Sequence, residues 1–179
     1  DWSAIDLETL AEDAIPVTSY KPRGDRAKYD AKCTHWGDDG SVPARSQYRI
    51  AWRMMAANTG ERTLIPALIP PGATSIHGVS SLGCVGEDST SLIASAGAMS
   101  SLVLDFCVRV APKATISFAT VRGLPLVDGE LKDCLLLRTL RLNALTQAWS
   151  ELWTGGFNPE GANDSWANQP RGSSIQLSN

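Results

Sequence analysis

Only two histidines and four cysteines occur in 179 residues, and none is spaced for chemistry. Cys33, Cys84, Cys107 and Cys134 lie far apart and form no CxxC pair. Cys33 and His35 make half a metal site at most, with no second pair at useful spacing, which argues against zinc. Without a GxSxG elbow, His35 and His77 lack the nucleophile of a hydrolase triad. GxGxxG and GxxxxGK[ST] are missing too, and Gly83-Cys84-Val85-Gly86 is too short and too apolar to cradle phosphates. Segments that alternate like strands carry arginine where a nuclease centre needs carboxylates. No apolar run reaches the ~18 residues of a membrane span. Leu92–Val110 comes nearest, but Ser95, Ser100, Ser101, Asp105 and Arg109 break it. The start of the chain is acidic rather than basic-then-apolar, so it does not read as a signal peptide. These absences leave binding as the legible function.

The chain is 43% hydrophobic and 20% charged, which fits one domain, or one domain with an appendage, around a real core. It opens on Asp1 rather than Met, which predicts processing or excision from something longer. Dispersed cysteines predict free thiols and a reducing, cytoplasmic setting, with Cys107 and Cys134 as small core residues. Net charge is −3, yet it is unevenly spread. Residues 1–20 hold five acids and no Lys or Arg; residues 21–62 hold nine basic and five acidic residues, +4; residues 63–179 hold seven and nine, −2. The positive stretch reads either as a polyanion-binding surface or as a solvated basic face beside an acidic helix.

Ser3 is placed to cap a helix through about Ala14, with Asp6 and Glu8 at its positive end and Pro16 as its stop. Residues 17–46 read as an irregular loop broken by Pro22, Gly24, Gly37, Gly40 and Pro43, which Tyr29 and Trp36 can pin to the body. Strands are predicted at about 47–57, 62–70 and 74–82. In the first, Tyr48, Ile50 and Trp52 share one side, and Gln47, Arg49 and Arg53 the other. Pro66 makes the second an edge or bulged strand, and Pro70-Pro71-Gly72 is a rigid corner. Ser89 or Thr90 caps a helix running to about Val110. Its Ala94, Ala96, Gly97, Ala98 and Ser100 admit a close neighbour, while Leu92, Met99, Leu102, Val103 and Phe106 supply bulk to the core. Ala114–Phe118 reads as a short strand, and Leu131–Trp153 as one helix of ~34 Å, apolar on two stripes. From Gly155 the composition is that of a linker, with Phe157 and Trp166 available to order part of it. The expected fold is therefore α+β, a mixed, mainly antiparallel sheet packed with a small-residue helix and a long C-terminal helix. Its expected parts are an acidic helix (1–15), the core (16–130), the long helix (131–153) and a linker or tail (154–179).

Four elements in order carry a resemblance. The run Tyr48, Arg49, Trp52, Arg53, then Asn58-Thr59, Arg62-Thr63-Leu64 and Ile69-Pro70-Pro71-Gly72 resembles the target-recognition region of large bacterial adenine-N6 DNA methyltransferases. Those enzymes belong to fused restriction–modification and phage-defence systems. Leu92–Val110 is similar to the small-residue helix of such regions. Arg122-Gly123-Leu124-Pro125-Leu126 is similar to their exit segment, and Leu131–Trp153 to their long helix, so the likeness spans roughly residues 20–153. It implies sequence-specific recognition of double-stranded DNA, and no membrane. Its second implied partner is the methyltransferase domain of a parent chain, which would use S-adenosylmethionine and in some systems carry an endonuclease. Methyl transfer also needs a donor pocket and a polar-Pro-Pro-aromatic loop. Here Ile69 precedes and Gly72 follows the proline pair, so this segment is expected to hold no cofactor and to catalyse nothing alone.

On that reading the DNA-binding candidates are Lys21, Arg23, Arg26, Lys28, Arg45, Arg49, Arg53, Asn58, Arg62, Thr63 and His77. Arginine pairs bidentately with guanine or phosphate. Arg49 and Arg53, ~13 Å apart along a strand, would meet different nucleotides. Asn58 suits adenine, and Lys21, Arg23, Arg26, Lys28 and Arg45, on irregular chain, suit phosphates. Each has a plainer reading. Arg49 or Arg53 can pair with the N-terminal acids, Arg62 can be buried against a carboxylate, and His77 can be a satisfied half-buried histidine. Asn58 can be a turn residue, and Tyr48 and Trp52 core residues. The alternative function is a protein-interaction or scaffold module resting on the two-faced Leu131–Trp153 helix.

Overall fold

Three short strands and a layer of helices build the body of the chain. In order the elements are α1 (Arg26–Asp30), β1 (His35–Trp36), β2 (Val42–Pro43), β3 (Arg49–Arg53), β4 (Pro66–Ile69), β5 (Val79–Leu82), α2 (Ser89–Met99), α3 (Leu102–Val110), α4 (Phe118–Arg122), α5 (Lys132–Asn143) and α6 (Ser150–Gly156). This computed structural model describes residues 6, 8–15, 23–57, 59–84, 86, 88–111 and 114–160. The architecture is mixed α+β with two small antiparallel sheets: a β1–β2 ribbon, and a three-stranded sheet in the order β4-β3-β5. Ile50 lies opposite Leu68 and Leu82, and Trp52 opposite Pro66 and Ser80.

Alternation along β3 sends Ile50 and Trp52 into the core, where Leu64, Leu68, Leu92, Ile93, Ile116, Leu140 and Leu152 meet them. The Trp52 indole donates to the Ile116 carbonyl at 2.9 Å, so burial leaves its N–H satisfied. Tyr48 packs against this core, and its hydroxyl donates to the Ala148 carbonyl at 3.0 Å. β4 is an edge strand, as Pro66 requires.

Small residues on α2 do admit a close neighbour. A Cβ on Gly97 would fall 2.2 Å from Thr139 Oγ1 and 2.8 Å from Leu135 Cδ1, both on α5. A Cβ on Gly156 would fall 2.1 Å from Ile93 Cδ1, which seats α6 on the same helix. α2 is capped by Asp88, whose carboxylate accepts from the Ser91 amide at 2.9 Å, rather than by Ser89 or Thr90.

Several boundaries differ from expectation. The Leu92–Val110 helix is two helices bent by 65°. Ser100 turns its hydroxyl back to the Ala96 carbonyl at 2.8 Å, and Ser101 caps α3 by accepting from the Leu104 amide at 3.2 Å. Leu131–Trp153 is likewise not one helix. Asn143 ends α5 by accepting from the Leu68 amide of edge strand β4 at 2.9 Å, and Thr146 is extended before a short turn leads into α6. Cys134 is exposed rather than in the core, whereas Cys107 packs against it. Ala114–Phe118 contributes one isolated bridge, Met55 with Thr115, and Phe118 opens α4. Of the expected acidic helix, Ser3 lies outside the described residues, and residues 8–15 form turns. Asp6 accepts from the Glu8 amide at 3.0 Å, and the carbonyls of Glu12 and Ala14 accept from Gln147 and Thr146 at 2.7 Å, so this backbone is bonded across the fold instead of along a helix. At the other end, helix continues to Gly156 and Phe157 stacks on Trp153 at 5.5 Å; Trp166 lies outside the described residues.

Candidate nucleic-acid interface

Helix α2 packs against one face of the sheet. The other face carries Arg49, Ala51 and Arg53 from β3, with Ile69 and Ala67 of β4 and Ser81 and Val79 of β5 opposite them. Alternation therefore puts both arginines on the side expected, but it does not decide their exposure. Arg53 ends the strand and is exposed. Arg49 is 4% exposed, because the chain around residues 29–45 and the Ala73 backbone fold over that end of the sheet. Its Nε donates to the Gln47 carbonyl at 3.3 Å and its Nη2 to the Ala73 carbonyl. Burial, and then the neighbouring Arg45 guanidinium, lower the Arg49 pKa from its ordinary value. The expectation of an open strand face with two projecting guanidiniums is thus corrected for Arg49: a base edge cannot reach a side chain roofed by the protein's own backbone.

Arg62 and Thr63 also turn inward. Asp105, buried on α3, accepts from the Thr63 and Leu64 amides at 2.8 and 2.6 Å, and its second oxygen lies 3.5 Å from Arg62 Nε. Arg62 Nη2 donates to the carbonyls of Ser100 and Ser101, at 2.8 and 3.2 Å, where α2 and α3 meet. Arg109 adds a bond from Nε to the Thr63 hydroxyl at 3.2 Å and one from Nη2 to the Gly60 carbonyl. Burial pushes the Asp105 carboxyl up, but the Leu64 and Thr63 amides with the Arg62 and Arg109 guanidiniums outweigh it and hold the group below its ordinary range. The plainer reading of Arg62, burial against a carboxylate, is the one the fold adopts. Thr63 is fully buried, its hydroxyl donating to the Ala57 carbonyl at 3.2 Å.

The remaining candidates divide into two groups, one beside Arg45 and the other where β3 ends at Arg53. Arg23, Arg26 and Lys28 are exposed on and before α1, whose N-cap Asp25 accepts from the Ala27 amide at 2.7 Å. Arg45 is mostly buried and pairs with Asp30, which Arg26 also approaches at 3.8 Å. Gly72, at φ +87°, donates its amide to the Arg45 carbonyl at 2.8 Å, so the Pro70–Gly72 corner lies against this group. Pro70 is fully buried, and the proline pair is a structural corner with no side-chain acceptor for a base amine. In the second group, His77 is exposed in the turn before β5, close to Arg53, which pairs with Val79. Lys21 and Asn58 lie outside the described residues.

Sequence reasoning passed over Lys32, Thr34 and Ser81, which line a recess with Arg45 and Arg49. Lys32 was visible as part of the basic stretch. Thr34 and Ser81 are polar residues of the commonest kind and carry no signal of their own. Comparison of the chain with protein-family models, with curated proteins and with solved structures finds no match.

Proposed function

We propose that this chain is a recognition domain that binds double-stranded DNA and positions a separate adenine methyltransferase domain of a restriction–modification or phage-defence enzyme. The observation that carries the proposal is the exposed cationic set Arg23, Arg26, Lys28 and Arg53, in a chain whose sequence resembles such regions. These side chains suit phosphate oxygens, which orient a protein on a duplex. Arg53 and His77 sit together at the strand end and are the candidates for base contact. Arg45, Arg49, Arg62 and Thr63 leave the list of direct contacts and become parts of the scaffold beneath it. S-adenosylmethionine belongs on this reading to the parent's other domain.

Salt dependence of duplex binding tests the proposal. Log affinity should fall linearly with log salt, by about 0.9 for each phosphate neutralised. Removing Arg26, Lys28 and Arg53 together should flatten that slope by roughly two to three, and Arg53→Ala alone should blunt preference between sites. Salt-insensitive binding, or an unchanged slope in the triple variant, would refute it.

A second reading rests on α3. Leu104, Asp105 and Val108 face inward, while Leu102, Val103, Phe106 and Val110 form an outward apolar stripe, Phe106 being 64% exposed. The broken Leu131–Trp153 segment offers less, since its exposed Leu131, Leu142 and Leu145 are dispersed. DNA indifference combined with tight association with a separate polypeptide would favour an interaction module over a DNA reader.

A further inference from the structure

Arg49 is a charge held inside the protein. Its two hydrogen bonds go to carbonyls, and among the described residues no carboxylate lies at ion-pair distance from it. Arg45 repels it, and the smaller opposing influence comes from the thiol of Cys33. Asp30 compensates Arg45, but Arg26 draws on the same carboxylate. Arg49 and Arg45 face a cavity of about 330 Å3 between the Arg49 face of the sheet and the overlying chain. Lys32 is the third cation on its wall, among the described residues no carboxylate lines it, and Thr34, Ser75 and Ser81 add hydroxyls beside the Cys33 thiol. A buried cation without a counter-charge is costly unless something anionic joins it.

We propose that this cavity binds a terminal phosphate group, held by Arg49, Arg45 and Lys32, with Ser75, Ser81 and Thr34 as neutral donors. Phosphate fits better than carboxylate, because it offers three oxygens and a charge near −2 to three cations. A carboxylate would leave one of them unmatched. The group must be terminal. Arg49 lies beneath overlying chain, and a continuous nucleic-acid backbone would need an entrance and an exit past it. The cavity volume lies at the low end of small-molecule sites. Inorganic phosphate, a nucleoside monophosphate and the phosphorylated end of a strand all present this chemistry. The site is separate from the exposed cations proposed to meet duplex DNA, so either assignment can fail without the other.

Thermal unfolding of the 179-residue chain tests it. The ligands are sodium phosphate, adenosine monophosphate, and a short oligothymidylate with and without a 5′-phosphate, each against sodium chloride of equal ionic strength. A ligand that binds only the native state raises the midpoint saturably. The expected result is a larger rise with the phosphate-bearing ligands than with the unphosphorylated strand or chloride. Whichever of the three acts at the lowest concentration identifies the source of the phosphate. Lys32→Ala and Ser81→Val change half-buried or exposed positions, and each should weaken the response roughly tenfold or more. Two results would overturn the proposal: phosphate no better than chloride for the wild-type chain, or full phosphate response in both variants.

Discussion

Replacing Asp105 by asparagine removes a charge and almost nothing else. Asp105 is 4% exposed, and one of its carboxylate oxygens accepts both the Thr63 and the Leu64 amide, at 2.8 and 2.6 Å. Its other oxygen faces Arg62 Nε at 3.5 Å. Asparagine keeps an acceptor for the two amides but presents an NH2 group, a second donor, to the guanidinium. A hydrogen bond to an ionised group contributes about 1 kcal/mol more than one to a neutral group. Two such bonds and the lost attraction to Arg62 put the cost of Asp105→Asn at roughly 2–4 kcal/mol, a large part of a total stability of ~5–15 kcal/mol. Asp105→Ala, which leaves two buried amides unpartnered, should cost about 3–5 kcal/mol. Urea unfolding followed by tryptophan fluorescence reads both, with Trp52 and Trp149 as buried reporters. The pH dependence separates charge from shape. The folded Asp105 pKa is depressed below the ordinary 3.8, so its contribution is fully present above that value and is lost as pH falls through the folded pKa. The gap between wild type and Asp105→Asn should therefore hold at neutral pH and close in strong acid. Stability of Asp105→Asn within ~0.5 kcal/mol of wild type at neutral pH, or a gap that persists unchanged in acid, would refute the assignment.

Gly97→Ala should destabilise by about 1–3 kcal/mol, because the new methyl meets Thr139 Oγ1 at 2.2 Å and Leu135 at 2.8 Å; equilibrium unfolding measures it, and an unchanged midpoint would mean that α2 and α5 are not in such close register. Tyr48→Phe should cost about 1 kcal/mol, since it deletes the hydrogen bond to the Ala148 carbonyl that ties β3 to the turn before α6; the same unfolding assay reads it.

What was legible in the sequence was whatever a local period or a single special residue decides. Alternation in Tyr48–Arg53 identified the core side of β3, Pro66 identified an edge, and Gly97 among alanines identified a close contact. What was illegible was decided by distant chain. Arg49 and Arg53 are equivalent in the alternating pattern. One is buried and the other exposed only because residues 29–45 and the Ala73 backbone cover one end of the sheet. The two long helices were over-read for a related reason. Ser100-Ser101 and Asn143 are tolerable inside a helix, and they become terminators here because their side chains find better partners at Ala96, Leu104 and Leu68.

Among the arginines turned inward, the pairing is unequal. Arg62 and Arg109 share Asp105 and donate to carbonyls at Ser100, Ser101 and Gly60, a closed arrangement that locks the α2–α3 junction to the chain before β4. Their positive charge is answered within the fold, and structure accounts for them. Arg45 and Arg49 sit on the opposite side of the sheet, where among the described residues the paired acid is Asp30, bound to Arg45 and near Arg26. The Gln47 and Ala73 carbonyls satisfy donors of Arg49 but do not neutralise its desolvated charge. Keeping a guanidinium there makes sense when an anion completes the set. The two proposals thus divide the basic stretch around residues 21–62 by burial: they assign the exposed cations to a polyanion that stays outside, and the recessed group to one compact anion that enters.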